Sequence, residues 1–465
     1  MGQFKNFGAP EKILLFLGII YAITSKNPGV TLAAVITPFI LMVLLWKKEE
    51  SPLLFMAFLL QWLSISIKVF YSNFEQLNFD ETFEHYKLIT NAFYCSIAGL
   101  ISVAIGIHVI IRRYKLKQQD YARLALNYDS RKLVPLYIIV CILYPIVYNY
   151  SYVMGGLQQP ISKLADFKWM VFFIFMLSCL YTKQWKLFSL IALMEIVLSL
   201  TGFFSNFKDY FLVIFAGLSI IFGKNLKLKQ VLPLVGITAV CLYMIIIWQY
   251  VKPEYRNYLS GGQLNQSVVR TTGESLNKLS ELVQNVDQIA INQGFKATVD
   301  RISYIDFFSA TMEFVPASIP HTHGRLWGDA IGRVLQPRLF FPEKTSIDDS
   351  EITNKYAGVQ VSGRESATSI SLGYMTENYI DFGIPGMFIS LFCYGLIIGF
   401  IYKYAMTSSP NKIIGTAMII PFFILIYQFE SALNKLIGGM FMYLIIYELI
   451  RRFVLDKFLN QIKAK

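Results

Sequence analysis

Apolar residues in this chain come in long runs, and polar residues are gathered into the connections between them. The runs lie at about 10–24, 29–46, 52–71, 91–111, 133–150, 167–182, 187–204, 209–222, 231–249, 384–404, 412–428 and 432–450. Most approach the ~20 residues with which an α-helix crosses a bilayer. The pattern predicts an all-α fold, a polytopic membrane helix bundle of about twelve spans, of which the first and eighth are short. One stretch interrupts it. Residues 250–383 are polar, yet they hold Phe, Tyr, Trp and Leu throughout, which sets them apart from a flexible linker. The organisation expected is an N-terminal bundle of about nine spans (1–249), a helical loop domain (250–383), C-terminal spans (384–450) and a basic tail (451–465).

The long loop carries helix patterns of its own. Thr271-Thr272-Gly273-Glu274 fits a capping box, in which a hydroxyl and a carboxylate satisfy the first free N–H groups of a helix. Leu276, Leu279, Leu282, Val283, Val286 and Ile289 follow at helical spacing, and Gly294 is placed to end that helix. A second amphipathic run extends from Arg301 to Val315 and stops before Pro316. A third, Leu326 to Leu335, stops before Pro337. Together they predict a small helical cap on one face of the bundle.

Charge then orients the bundle. Only 15% of residues are charged and 55% are hydrophobic, against about a quarter charged in a soluble domain. The net charge of +12 resides in short connections such as 112–119 and 223–230 and in the tail. That is the positive-inside pattern of a membrane protein, and it argues against a nucleic-acid surface. With Lys47 and Lys48 inside, every strongly basic connection and both termini fall on the cytoplasmic side of a cytoplasmic (inner) membrane, and the long loop falls outside. Trp46, Trp169, Trp185 and Trp248 sit near predicted span ends, as an aromatic belt requires. Lys5 and Lys12 precede the first apolar run as in a signal peptide, but no A-x-A cleavage site follows, so the run is read as an uncleaved span. Cys95, Cys141, Cys179, Cys241 and Cys393 fall within apolar runs without CxxC spacing and read as small core or lipid-facing residues.

Candidate chemistry is concentrated in the loop. Arg301, His321, His323, Arg325, Arg333, Arg338 and Lys344 supply forked and point-like cations suited to a lipid-borne phosphate or diphosphate. Asp300, Asp306, Asp329 and Glu343 are close enough in sequence to pair with them instead. Glu377, in SLGYMTENYIDFGIPG, is the candidate general base, able to take a proton from a sugar hydroxyl or, alternatively, to orient Arg338 or Arg301. Lys208, in the short turn Ser205–Asp209, either meets an anion or snorkels beside Asp209. Glu195, inside the seventh run, is either a proton or substrate contact or a carboxyl bonded to a neighbouring helix. His108 reads as structural. His321-x-His323 is poorly spaced for a metal, and no Walker, dinucleotide, G-x-S-x-G or H-E-x-x-H motif is present.

Many spans with one large late loop resemble the Wzy-type polymerases of O-antigen and exopolysaccharide repeat units. The similarity is carried by Arg301-Ile302-Ser303, Gly324 with Trp327-Gly328, Pro337-Arg338 with Phe341-Pro342-x-Lys344, Asp349-Ser350-Glu351, and Glu377-x-Tyr379-x-x-Phe382-Gly383-x-x-Gly386. Phe341 and Thr345 stand where many relatives have Trp and Pro, and Phe207-Lys208 where they often have Ser-Arg. The resemblance implies a GT-C-like glycosyltransferase that uses neither metal nor nucleotide cofactor. It would pass a glycan from undecaprenyl diphosphate to a lipid-linked repeat unit. Arg301, Arg338 and Glu377 would be catalytic, and Lys344, Lys208, His323, Arg325 and Tyr379 would bind substrate. Whether the chain works alone or with a chain-length regulator stays open. The alternatives are an O-antigen ligase, for which His321 or His323 would matter, a lipid-glycan transporter or flippase, and a non-catalytic scaffold.

Overall fold

The computed structural model describes residues 8–47, 50–82, 87–114, 120–153, 158–200, 207–222, 228–263, 268–336, 341, 343–344, 347–361 and 369–464. The bundle begins with α1 (Ala9–Thr24), α2 (Pro28–Leu45), α3 (Leu53–Phe74) and α4 (Ile89–Ile111). It continues through α5 (Tyr121–Ala125), α6 (Ser130–Val153), α7 (Gln158–Ala165), α8 (Lys168–Tyr181), α9 (Trp185–Leu200), α10 (Phe207–Phe222) and α11 (Leu228–Leu259). The loop domain holds α12 (Thr272–Gln284), α13 (Gln288–Ile302), α14 (Ile305–Phe314), α15 (Arg325–Leu335) and α16 (Asp349–Ala357). The chain ends with α17 (Tyr374–Ser408), α18 (Lys412–Ile426), α19 (Leu433–Leu449), a π-helical turn and α20 (Leu455–Ile462). Among the described residues there is no strand beyond one isolated bridge between Tyr128 and Lys463.

Each of the twelve apolar runs coincides with a helix. Among the described residues, six helices are long and apolar enough to cross a membrane, and Asp209–Ile221 and Lys412–Ile426 are shorter apolar helices. The protein is therefore an all-helical membrane protein. Six of the twelve expected spans thus meet that length and composition among the described residues.

The centre of the bundle is the packing of α4 on α17. Helices in lipid gain little from hiding apolar surface from each other, so small residues that let backbones approach decide where they meet. Gly395 and Gly399 form such a pair on α17, one turn apart. A Cβ on Gly395 would lie 2.1 Å from the Val103 carbonyl oxygen, and one on Gly106 would lie 2.3 Å from the Phe392 carbonyl oxygen. The buried core continues from these two helices into α2, α3, α8, α18 and α19.

The connections sort into two ends of this bundle. At one end Lys47 donates to the Tyr114 carbonyl (2.8 Å), Asn411 to the Tyr128 hydroxyl (2.8 Å), Ser130 to Gln184 (2.9 Å) and Lys132 to the Lys463 carbonyl (2.8 Å). These are the basic connections and the tail. At the other end, Asn27 binds Asn73 (2.9 Å), and the Leu88 N–H donates to Glu313 of α14 (3.1 Å). There too Lys68, buried on α3, is paired with Asp300 and Asp306 at 3.2 Å each, which ties the loop domain to the bundle.

Within the loop domain two boundaries differ from expectation. The capping box at Thr271 and Glu274 is formed, but its helix stops at Gln284, and Gly294 lies inside α13. There a Cβ would come 2.5 Å from the Ile246 carbonyl oxygen, so this glycine admits α11 and does not end a helix. Arg301 closes α13 and does not open the next helix, which begins at Ile305. α15 matches its expected range, and α16, capped by the Asp348 side chain, was not anticipated. Elsewhere, Glu195 is bonded to neighbouring helices, the second of its two alternatives. It is buried and bonded to Lys168 (2.6 Å) and the Tyr137 hydroxyl (2.9 Å), partners that satisfy a charge otherwise costly in apolar surroundings. His108 bonds the Leu44 carbonyl through Nδ1 (2.7 Å), a structural role.

Candidate functional site

The motif around Glu377 forms the first half of α17. Gly383 breaks this helix with φ 59° and ψ −164°, a conformation that glycine alone adopts without strain. A Cβ there would also press to 2.8 Å from the His321 ring. Asn378 spans the break. It accepts from Ser390 beyond the break (2.5 Å) and from the Trp327 indole (2.9 Å), and donates to the Tyr374 carbonyl (2.7 Å).

Asp381, fully buried, receives the Leu326 N–H (3.0 Å), the Trp327 N–H (2.9 Å) and the Thr322 hydroxyl. It thereby caps the start of α15, where free N–H groups and the helix dipole favour a negative charge. Sequence reading passed over Asn378 and Asp381, which fix where α15 stands. The other wall is set by the turn before α19. Tyr374 donates its N–H to the Ser431 carbonyl (2.8 Å) and its hydroxyl to Gln61 (2.7 Å), which in turn donates to the Ile426 carbonyl (2.6 Å).

Between these walls lies a cavity of about 920 Å³. Asp329, Arg333 and Gln336 of α15, Glu343, Lys344 and Asn434 give it polar groups, and Leu326, Phe341 and Ile352 give it apolar ones. Glu377 reaches it from α17. This carboxylate is 3% exposed. Its Oε2 accepts the Leu433 N–H at the start of α19 (2.5 Å), and among the described residues its Oε1 has no hydrogen-bond partner. A buried carboxylate with one oxygen anchored and the other free beside a cavity is placed for proton transfer.

A second group of charges gathers nearby. Burial pushes the Tyr304 phenol up. The carboxylates of Glu430, Asp349 and Glu377 push it further, and Arg301 opposes them. One hydroxyl thus lies within electrostatic reach of four charges from separate parts of the chain, Arg301 and Glu377 included. Arg256, near the end of α11, is drawn down by burial and by the like charge of Arg301. Asp349 is 2% exposed, and its Oδ2 accepts from Ser369 (2.9 Å) and from Lys435 of α19. Its Oδ1 is buried with no partner among the described residues.

The anticipated residues therefore separate. Glu377 and Lys344 share the cavity wall. The Lys344 ammonium donates to the Arg333 and Gln336 carbonyls, closing the C-terminal end of α15. Arg301 is exposed and off that wall, on the Tyr304 side. Tyr379 is buried; its hydroxyl donates to the Val315 carbonyl (2.9 Å) and its ring meets His321, so it braces the turn. Arg325 is exposed and 3.9 Å from Asp329. His323 holds a left-handed turn at φ 50° ahead of α15. Arg338 and the Lys208 side chain lie outside the described residues, as do Pro337, Pro342 and Thr345. Lys435 was missed because it stands in an apolar run, where it reads as a span-end lysine.

Neither a curated protein nor a solved structure matches the chain. Residues 55–458, which contain the cavity, the Tyr304 cluster and nearly the whole bundle, match one family, described as Domain of unknown function (DUF8712). The chain belongs to the DUF8712 family.

Proposed function

We propose that this protein is a membrane glycosyltransferase of the Wzy type, an oligosaccharide repeat-unit polymerase. It moves a growing glycan from undecaprenyl diphosphate to a lipid-linked acceptor on the outer face of the cytoplasmic membrane. The observation that carries this reading is Glu377, buried with one oxygen unpartnered among the described residues, on a polar cavity large enough for saccharide. The motif resemblance along the loop supports it, and so does the gathering of the basic connections at the end of the bundle away from the cavity. In the topology that goes with it, twelve spans cross the membrane, both termini are cytoplasmic and the loop domain is outside.

The chemistry follows from the charges. The acceptor hydroxyl gives its proton to Glu377 as its oxygen bonds the anomeric carbon of the donor. The bond from that carbon to the diphosphate oxygen breaks, and the electron pair leaves with the diphosphate. Cations near the departing group stabilise the charge that develops there. Asp329, Gln336, Glu343 and Asn434 offer acceptors and donors to sugar hydroxyls on the cavity side.

Complementation of a deletion strain tests the reading. Glu377→Gln keeps an acceptor for the Leu433 N–H and removes the base. With normal protein levels, surface glycan on a gel should collapse to single repeat units, a loss of at least ~100-fold in polymer. Arg338→Ala should do the same. Long chains of normal length from Glu377→Gln would sink the proposal. Long chains that fail to reach their final acceptor would move the reading to a ligase.

A further inference from the structure

We propose that Lys435, held by Asp349, is the cation that receives the anionic leaving group, a role that sequence pattern alone would give to Lys344. This rests on the transferase reading above and names a residue within it. Lys344 is a poor candidate because its ammonium is already spent on two carbonyls of α15. The cavity wall is also not cationic, since Asp329, Glu343 and Glu377 face Arg333 and Lys344 across it.

Lys435 is also held by two acceptors, but it is the more exposed of the two cations. It stands one residue after Asn434, which lines the cavity. Its side chain is 52% exposed, whereas its partner Asp349 is 2% exposed. The ammonium donates to Asp349 Oδ2 and to Ser369 (3.4 Å), which leaves a third N–H with no partner among the described residues. Asp349 stands one helical turn before Ile352, which lines the cavity together with Glu377, so the cation lies near the proposed base.

The buried Asp349 Oδ1, unpartnered among the described residues, is the second sign of an incomplete site. A buried acceptor without a partner costs about 1–3 kcal/mol. A water or hydroxyl brought in with the ligand would supply the missing donor. An ammonium on a flexible stem, anchored from behind by one carboxylate and open in front, suits the shifting oxygens of a diphosphate.

The test uses the full chain in lipid nanodiscs with farnesyl diphosphate as probe, beside farnesol and inorganic pyrophosphate. The wild type should bind farnesyl diphosphate more tightly than farnesol. Lys435→Met should weaken that binding at least about tenfold, and Lys435→Arg by no more than about threefold. Lys457→Met, exposed on α20 at the opposite end of the bundle, should leave it within about threefold. Because Lys435→Met strands a buried charge, the double variant Lys435→Met with Asp349→Asn keeps the fold neutral there and should show the same loss. Binding of inorganic pyrophosphate with the same Lys435 dependence would assign the site to the diphosphate itself, and binding of the prenyl compound alone would assign it to the lipid-borne form. If folded Lys435 variants bind like wild type, this inference is overturned and the transferase reading stands. If the wild type binds no diphosphate, both fall.

Discussion

Two carboxylates four residues apart on the first half of α17 have opposite surroundings. Asp381 is enclosed by two backbone N–H groups from the start of α15 and a hydroxyl from the turn before it. Glu377 has one N–H and a cavity. A buried acid whose acceptors are all used holds structure, and one with a free oxygen beside open space is available to chemistry. Asp381→Asn cannot accept from both N–H groups, and hydrogen bonds to a charged group are worth about 1.5–3 kcal/mol each. It should lower the melting temperature in detergent and reduce polymer in proportion. Glu377→Gln should leave melting within about 1 kcal/mol of wild type while activity is lost. Equal melting of wild type and Asp381→Asn would show that the cap of α15 is not the anchor described here. Glu377 was legible because its motif resembles a known pattern. Asp381 sits in the same motif, but its partners lie more than fifty residues away, and nothing local reveals them.

At the scale of elements, glycines decide which helices touch. Gly395→Leu would drive a side chain into the Val103 carbonyl, with no flexible neighbour to yield. Overpacking of this kind costs about 1–3 kcal/mol even where a core can adjust. Backbone against backbone has less room, so the variant should accumulate poorly and melt early, whereas Gly236→Ala, which meets nothing within 4 Å, should be neutral. Comparable expression and melting of both variants would remove the α4–α17 contact from its central place. The same logic explains the misreading at Gly294. A glycine after an amphipathic run signals a helix end in sequence, yet this one lies mid-helix, because α11 passes too close for a side chain.

The whole molecule has two unlike ends. One gathers the basic connections and the C-terminal helix, and the other carries the loop domain, with Lys68, Asp300 and Asp306 joining it to α3. The proposed orientation places the first in the cytoplasm. In a cysteine-free background, Asn285→Cys in the loop domain should react with a membrane-impermeant maleimide added outside sealed cells. Thr407→Cys, at the opposite end, should react only after permeabilisation. The reverse pattern would put the cavity in the cytosol and remove a lipid-borne extracytoplasmic glycan as its substrate.

Runs of apolar residues determined the helices, because a chain in lipid must satisfy its backbone internally and each run can do so alone. Their basic flanks determined which connections belong together, since like-charged loops sort to one side. The capping box at Thr271 and the extent of α15 were local in the same sense. The site was not. The cavity exists because Asp381 fixes α15, Gly383 turns α17, and the Ser431 turn brings Leu433 to Glu377. Lys435 became an interesting cation only once Asp349, 86 positions earlier, was folded beneath it. Contacts of that range depend on which surfaces meet after the helices have formed, and no periodicity along the chain encodes them.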